Sequence, residues 1–391
     1  MNKKKALIIG LITVTAYIAN YFLRNMLGVL TPYIIKSTSC TKEYLAMLSS
    51  VYMIAYAAGQ LLNGVLGDIF KPKAMVLAGL LAAGASSALF PFAPHGLMQI
   101  ICFLILGYAL SMMRGPLMKI ISENTKPDYA RVICVFFSFA GFAGPLTASL
   151  IAMIFNWNAA FLFAGTVSAA IGICAYAAIS VLEKKGMITF KKMKEITFSE
   201  MLAVFKINRF PFFLTIACLV EIAGMSISFW IPTFLNEYIS LPASESNLVF
   251  SFISLVRALI PFAALALFKL FGGRDTLIMK YAYGISFAAF LCMLFVPKGI
   301  LTVAFLLLAL IMNSFVSAML WSIYIPALGE TGRVSSINGI LDCMGYIAAS
   351  ISTSLFAWVV SSFSWSGLIV SWSIIPVIGI AATFLLNRKA A

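Results

Sequence analysis

Tyr17-Ile-Ala-Asn20-Tyr21-Phe-Leu-Arg24 sits inside an otherwise apolar run spanning 6–35. A helix of about 20 apolar residues crosses a bilayer core of about 30 Å. Similar runs recur at 44–66, 74–92, 97–121, 131–155, 159–181, 210–236, 246–268, 277–296, 300–325, 335–359 and 367–386. The chain of 391 residues is 62% hydrophobic and only 10% charged. Soluble domains are about 25% charged, so the solvent for this chain is lipid. The expected fold class is an all-α membrane protein with twelve transmembrane helices in two pseudo-symmetric six-helix bundles.

The net charge of +14 does not indicate a nucleic-acid partner, because its distribution follows a membrane. With both termini inside, Lys3, Lys4, Lys5, Lys71, Lys73, Lys126, Arg131 and the basic run from Lys184 to Arg209 fall on one side. Lys36, Lys42 and Lys298 fall on the other. That asymmetry is the positive-inside pattern, and it places both termini in the cytoplasm. The opening Met-Asn-Lys-Lys-Lys mimics a signal peptide. The apolar run behind it is too long, contains Asn20 and Arg24, and lacks a small-residue cleavage site, so a retained anchor helix is expected.

The longest polar stretch, 182–209, separates six spans from six. The expected organisation is an N-terminal bundle over 1–181, a basic cytoplasmic linker over 182–209 and a C-terminal bundle over 210–391. Segment 198–207 alternates apolar residues with Lys and Glu and reads as a surface helix. The halves resemble each other: Arg131 opens span 5 and Arg333 precedes span 11, and Trp157 and Trp365 sit in the turns that follow those spans. Gly144-Pro145 is expected to interrupt span 5, and Gly115-Pro116 to kink span 4. Seven scattered cysteines form neither a disulfide framework nor a metal spacing. The only histidine, His95, lies in an outer loop. No Walker loop, dinucleotide turn or metal set is present, so neither an enzyme nor a cofactor is expected.

Six charges lie within spans: Arg24, Arg114, Lys119, Glu221, Arg257 and Asp342. Each costs about 2.5–3.5 kcal/mol on insertion scales, so each needs water, a counter-charge or a ligand. Tyr17, Asn20, Tyr21 and Arg24 recur at helical spacing and share one face, as a wet cavity wall would. A guanidinium grips a carboxylate or phosphate in two-pronged fashion, which makes Arg24 a substrate anchor or one half of a structural pair. Glu221 and Arg257 lie at similar depth in neighbouring spans; they are either a structural ion pair or a functional one, with Glu221 a proton-coupling site. Asp342 is the other coupling candidate. Arg114 is a cavity candidate, and Lys119 is expected to snorkel to the inner headgroups. Tyr52, Tyr56, Gln60 and Asn63 form a stripe on span 2 that either lines a path or packs against another helix.

The loop after span 2 reads Gly64-Val-Leu-Gly67-Asp68-Ile-Phe-Lys71-Pro72-Lys73. It resembles the signature loop of the major facilitator superfamily. The resemblance implies close helix packing at Gly64 and Gly67, and a gating charge network in which Asp68 is the acid and Lys71 and Lys73 are basic members. Ile69 departs from the usual arginine. Two branches are similar. Tyr21-Phe-Leu-Arg24-Asn25 with Pro32, Trp230-Ile-Pro232, Gly345-Tyr346 and Trp365-Ser-Gly367 resemble the organophosphate:phosphate antiporters. Asn20 through Asn25 and Ala55-Tyr56-Ala-Ala-Gly59-Gln60 also resemble the organic anion symporters. The phosphate-ester carriers pair the arginine of helix 1 with one in helix 7. Aligned on Trp230, that second position is Gly224 here, and their helix 5 histidine falls near Ser138. Arg257 and Arg114 are the candidates to replace the missing arginine.

The within-span charges sum to +2, which favours an anion. The expected function is secondary active transport of a small organic anion, a phosphate ester or a carboxylate such as a sugar acid, by alternating access. Protons or phosphate would serve as the coupling ion. Arg24, Tyr21, Asn20, Tyr17, Arg114 and Arg257 are the expected substrate contacts. A monomer in a bacterial cytoplasmic membrane is expected, with a small anion and lipid as its partners. A non-transporting organophosphate sensor is the alternative, and a drug exporter a third option that the surplus arginines disfavour.

Overall fold

The structure is a computed structural model that describes residues 3–38, 40–190, 203–207 and 209–389. Lys191, Lys192, Lys194 and the first half of the expected surface helix over 198–207 lie outside the described residues; Ala203–Lys206 forms a single 3-10 turn. In chain order the α-helices are α1 Lys3–Ser37, α2 Lys42–Ile69, α3 Pro72–Leu89, α4 Leu97–Ser111, α5 Arg114–Asn124, α6 Pro127–Ile154 and α7 Trp157–Lys184. Then follow α8 Phe210–Glu221, α9 Ser228–Glu237, α10 Ala243–Leu270, α11 Asp275–Phe295, α12 Ile300–Ala318, the one-turn helix Ile325–Ala327, and α13 Val334–Lys389.

Ten helical stretches among the described residues are long and apolar enough to cross a membrane. Helix α2, diluted by Gln60, Asn63 and Asp68, is an eleventh by length. The twelfth appears where α13 breaks at Ser364, whose φ of 66° no α-helix accommodates. This break falls in the turn expected between spans 11 and 12. The twelve-helix arrangement of the sequence reading is therefore present.

Of the two expected interruptions, one is present and the other is not. Span 4 breaks at Met112 and Met113, just ahead of Gly115-Pro116. Pro116 has no N–H to give the carbonyl four residues earlier, that of Met112, so the first segment ends there and Pro116 sits in the first turn of α5. Span 5, by contrast, runs unbroken through Pro145 as α6. Gly144 instead clears space for Tyr21, whose backbone and Cβ lie where a glycine Cβ would project.

The chain divides into two compact units. The first is Met1–Val204 together with Ile325–Cys343. Within it α3 packs along α7, α1 along α6 and α2 along α4. Gly84 and Gly165 face each other, and a Cβ on either would strike the carbonyl of the other. The second unit is Phe205–Tyr324 with Met344–Ala391; in it α12 packs on α11 and α10. Residues Ile325–Cys343 lie in the segment that the sequence reading assigned to the C-terminal bundle, yet they pack with the first unit.

Overpacking a tight crossing typically costs about 1–3 kcal/mol. Gly84→Val is therefore expected to lower the melting temperature of the detergent-solubilised protein, as measured by intrinsic fluorescence. The same change at Gly28, where nothing lies within 4 Å of an added Cβ, is expected to leave it nearly unchanged.

Candidate functional site

The polar face of α1 divides among three neighbours. The Tyr17 ring stacks on Phe137 of α6, with ring centres 4.4 Å apart. Asn20 donates its amide to the Leu110 carbonyl of α4 at 2.9 Å. Both are buried, whereas Tyr21 and Arg24 keep some exposed surface. The face expected to be one wet wall is thus half packing surface, because Asn20 finds a backbone acceptor and Tyr17 an aromatic partner. The Arg24 guanidinium lies 5.2 Å from the Tyr56 ring of α2 and 5.6 Å from the Tyr21 ring. These are cation–π distances.

Helix α2 supplies the next set of contacts. Tyr52 and Tyr56 stack at 5.8 Å. Asn63 donates to Ser111 at 2.7 Å, and Gly59 leaves the room that Ser111 occupies. Gln60 is buried as well. The helix 2 stripe therefore both packs against α4 and, through Tyr56, carries Arg24.

Arg114 opens α5 and meets Asp342 of α13, Nη1 to Oδ1 at 2.6 Å. Asn338, one turn before Asp342, donates to its other oxygen at 3.0 Å. The Asp342 side chain is fully buried. Arg114 also interacts electrostatically with Tyr17, Tyr21 and Tyr56, and Asp342 with Arg24. Two arginines, three tyrosines and one carboxylate thus form a single electrostatic cluster within the first unit.

The signature loop splits into two charge groups. Lys71 and Lys73 both pair with Glu183 at the end of α7, Lys71 at 3.2 Å and Lys73 at 2.5 Å. Lys73 also donates to Ser180 at 2.9 Å. Asp68 instead pairs with Lys119 at 3.2 Å. Its two oxygens also accept from the backbone amides of Ser335 and Ser336, at 3.2 and 2.8 Å. Those amides open α13, where unsatisfied N–H groups and the helix dipole favour an anion. Lys119 does not snorkel; its side chain is 1% exposed because the buried carboxylate and the Asp68 carbonyl, 3.0 Å away, satisfy it in place. Glycines make these meetings possible: a Cβ on Gly64 would lie 2.8 Å from the Gly339 Cα, and Gly67 and Gly115 leave space for Ser335.

In the second unit, Arg257 donates to Ser228 at 2.7 Å and to Ser314 at 3.3 Å. No ion pair to it occurs within 4.0 Å among the described residues, although Glu221 acts on it electrostatically. A Cβ on Gly224 would lie 3.9 Å from Arg257 Nη2, so the guanidinium lies beside Gly224. Glu221 packs beneath Gly345. A π-helical turn, Ile222–Ile227, separates α8 from α9, and a second, Met319–Tyr324, follows α12. Such turns recur at functional sites.

The sequence named Arg24, Arg114, Lys119, Glu221, Arg257 and Asp342 and the loop charges Asp68, Lys71 and Lys73, but not Glu183, which holds both lysines. It also missed Ser228, Ser314, Ser335 and Ser336, which hold several of those charges. Single hydroxyls and amides in apolar helices carry no signal until the partner charge is located.

A family model described as Major Facilitator Superfamily matches residues 13–350. Solved structures share the fold over nearly their full length. A bacterial homologue of the iron transporter ferroportin, in its outward-facing state, superposes with a TM-score of 0.77 at 13% identity, covering 97% of this chain and 99% of the other. The E. coli fucose:proton symporter gives 0.72 at 14%, over 98% and 99%. The human organic anion transporter MFSD10 gives 0.76 at 13%, over 98% and 100%. At such identity these likenesses establish the fold.

Asp68→Asn leaves Lys119 buried beside a neutral amide. Breaking a buried pair from one side costs about 3–5 kcal/mol, so a clear drop in melting temperature is expected. The buried native Cys343, which belongs to the segment Asp68 anchors, is expected to react faster with maleimide in that variant, read by mass spectrometry.

Proposed function

The chain belongs to the major facilitator superfamily, and on that premise we propose that it is a secondary transporter of a small organic anion, a carboxylate or a phosphate ester, working by alternating access. The observation that carries this reading is the cluster of Arg24 and Arg114 among Tyr17, Tyr21 and Tyr56, with Asp342 as its carboxylate. Two planar guanidinium groups provide forked donors matched to carboxylate and phosphate oxygens. Tyrosine rings supply apolar area beside hydroxyls, which suits a polyhydroxylated or otherwise polar cargo. A low-dielectric setting strengthens each of these interactions relative to water.

Arg257, held by Ser228 and Ser314 rather than by a carboxylate, is a further anion contact in the second unit. It takes the place of a helix 7 arginine because Gly224 yields the room. Glu221 is the coupling carboxylate: it lies within the electrostatic reach of Arg257 without capturing it. Lys71, Lys73 and Asp68 form the gating charges, with Gly64 and Gly67 as the close-packing positions. The protein works as a monomer in a bacterial cytoplasmic membrane with both termini inside, and uses protons or phosphate as the coupling ion.

Reconstituted protein is expected to show counterflow of an organic anion, which a non-transporting sensor does not. Arg24→Lys keeps the charge but loses the fork. Counterflow is expected to fall at least about tenfold with an unchanged melting temperature; near-normal counterflow removes Arg24 from the site. Glu221→Gln is expected to abolish the response to an imposed pH gradient while sparing exchange. An unchanged pH response excludes Glu221 as the coupling group.

A further inference from the structure

Two residues that the transport reading does not use meet at one end of the first unit. His95 is the chain's only histidine, and Cys40 is the only one of its seven cysteines outside a helix. Cys40 Sγ lies 3.5 Å from His95 Nδ1, joining the turn between α1 and α2 to the turn between α3 and α4. Helix α2, 28 residues long, separates this end of the unit from the signature loop. Each partner is held by its own turn. The Cys40 N–H donates to Thr38 Oγ1 at 3.2 Å, and that hydroxyl donates to the Ile34 carbonyl at 2.8 Å. Directly after Cys40, Thr41 caps α2 by accepting from the Tyr44 N–H at 3.2 Å. Tyr44 then fixes the other side: its hydroxyl accepts from the Gly96 N–H at 3.0 Å and donates to Gln99 at 2.9 Å. Gly96 has a φ of 93°, which glycine adopts without strain. His95 is therefore presented by a turn that is tied to the helix starting just after Cys40.

We propose that Cys40 and His95 form a binding site for a thiophilic divalent metal ion of the zinc(II) kind. Thiolate sulfur and imidazole nitrogen are ligand types that zinc takes in a tetrahedron, at about 2.3 Å and about 2.0 Å. Two such bonds meeting at the tetrahedral angle hold sulfur and nitrogen about 3.5 Å apart. The pair has that separation already, so coordination requires no movement of either turn. His95 is exposed and Cys40 half-buried, which gives an ion access from solvent. Coordination replaces the thiol S–H by a metal–sulfur bond and releases that proton to solvent, while Nδ1 binds as neutral imidazole and Nε2 keeps the ring proton. Magnesium and calcium are disfavoured, because hard cations seek oxygen ligands. Among the described residues no third His, Cys, Asp or Glu joins the pair, so two corners of the tetrahedron remain for water or a small anion. A bound ion ties the two turns together and stabilises the folded protein by mass action. The inference is independent of the cargo and of the charges within the spans.

Cobalt(II) reports thiolate ligation through a near-ultraviolet charge-transfer band that zinc lacks, so cobalt chloride is the first probe. Full-length protein in detergent, reduced and then desalted under nitrogen, is titrated with cobalt chloride and afterwards with zinc chloride. Wild type is expected to develop the band with a single cobalt per chain, to lose it when zinc is added, and to melt at a higher temperature with zinc than without. Cys40→Ser is expected to abolish the band. His95→Gln is expected to weaken binding at least about tenfold, the loss that even a change beyond the direct ligands brings to a metal site. A band that survives Cys40→Ser belongs to a helix cysteine and overturns the site. Equal affinity in His95→Gln overturns it too, since Cys40 then acts as a lone thiol. No band in wild type leaves a thiol–imidazole hydrogen bond only, and likewise overturns the proposal. A further measurement needs no substitution: saturating zinc is expected to protect Cys40 of the wild-type protein from maleimide, read by mass spectrometry, and unprotected Cys40 overturns the site. Anion counterflow enters none of these readouts, so failure of the transport reading and failure of the metal site are separable.

Discussion

A charge carried into hydrocarbon must take its compensation with it, because lipid offers neither dielectric nor hydrogen bonds. Each positive group within the spans of this protein has met that requirement differently. Arg24 lies beside two tyrosine rings, Arg114 holds a carboxylate, Lys119 holds another, and Arg257 is met by two serine hydroxyls. These solutions are not equivalent. A buried ion pair fixes two helices at a given register, since separating it leaves both charges unsatisfied. A guanidinium met by hydroxyls, as Arg257 is, is stabilised less firmly and retains donors suited to an oxyanion. Structural and ligand-competent charges are thereby distinguished by what holds them.

The pairs form only because small residues let the helices approach. Gly64 lies against Gly339, and Gly67 and Gly115 make room for Ser335. In lipid, helix association gains nothing from excluding water, so backbone proximity and interhelical polar contacts must supply it. Here they act together: the glycines bring the start of α13 near α2 and α5, and Asp68 then caps its first amides. The assignment of Ile325–Cys343 to the first unit follows from this local combination rather than from any apolar stripe.

Much of the fold was legible in the sequence. Twelve apolar runs, their lengths and the basic linker can be read from hydropathy and charge, because a helix spanning lipid must satisfy its backbone alone and stay apolar outside. The turn at Ser364 and the glycine positions of the signature loop were legible too. The breaks were less so. Gly115-Pro116 and Gly144-Pro145 look alike as text, yet one coincides with a broken helix and the other sits in an unbroken one. Lys119 illustrates the same limit: at its depth a lysine can reach the headgroups or pair inward, and a buried Asp68 in a different helix selects the second.

The sequence by itself determined that this is a polytopic membrane protein, where its helices lie, and which six charges inside them need explaining. Those properties depend on composition and on periods of a few residues, which are local. Only the tertiary structure decided the partners. It joined Arg114 to Asp342 across 228 positions and Asp68 to Ser336 across 268, and it set Arg257 against the space left by Gly224. Electrostatic compensation acts through a few ångströms of space, not along the chain, so whether an intramembrane charge is a strut or a ligand site emerges only once the helices are packed.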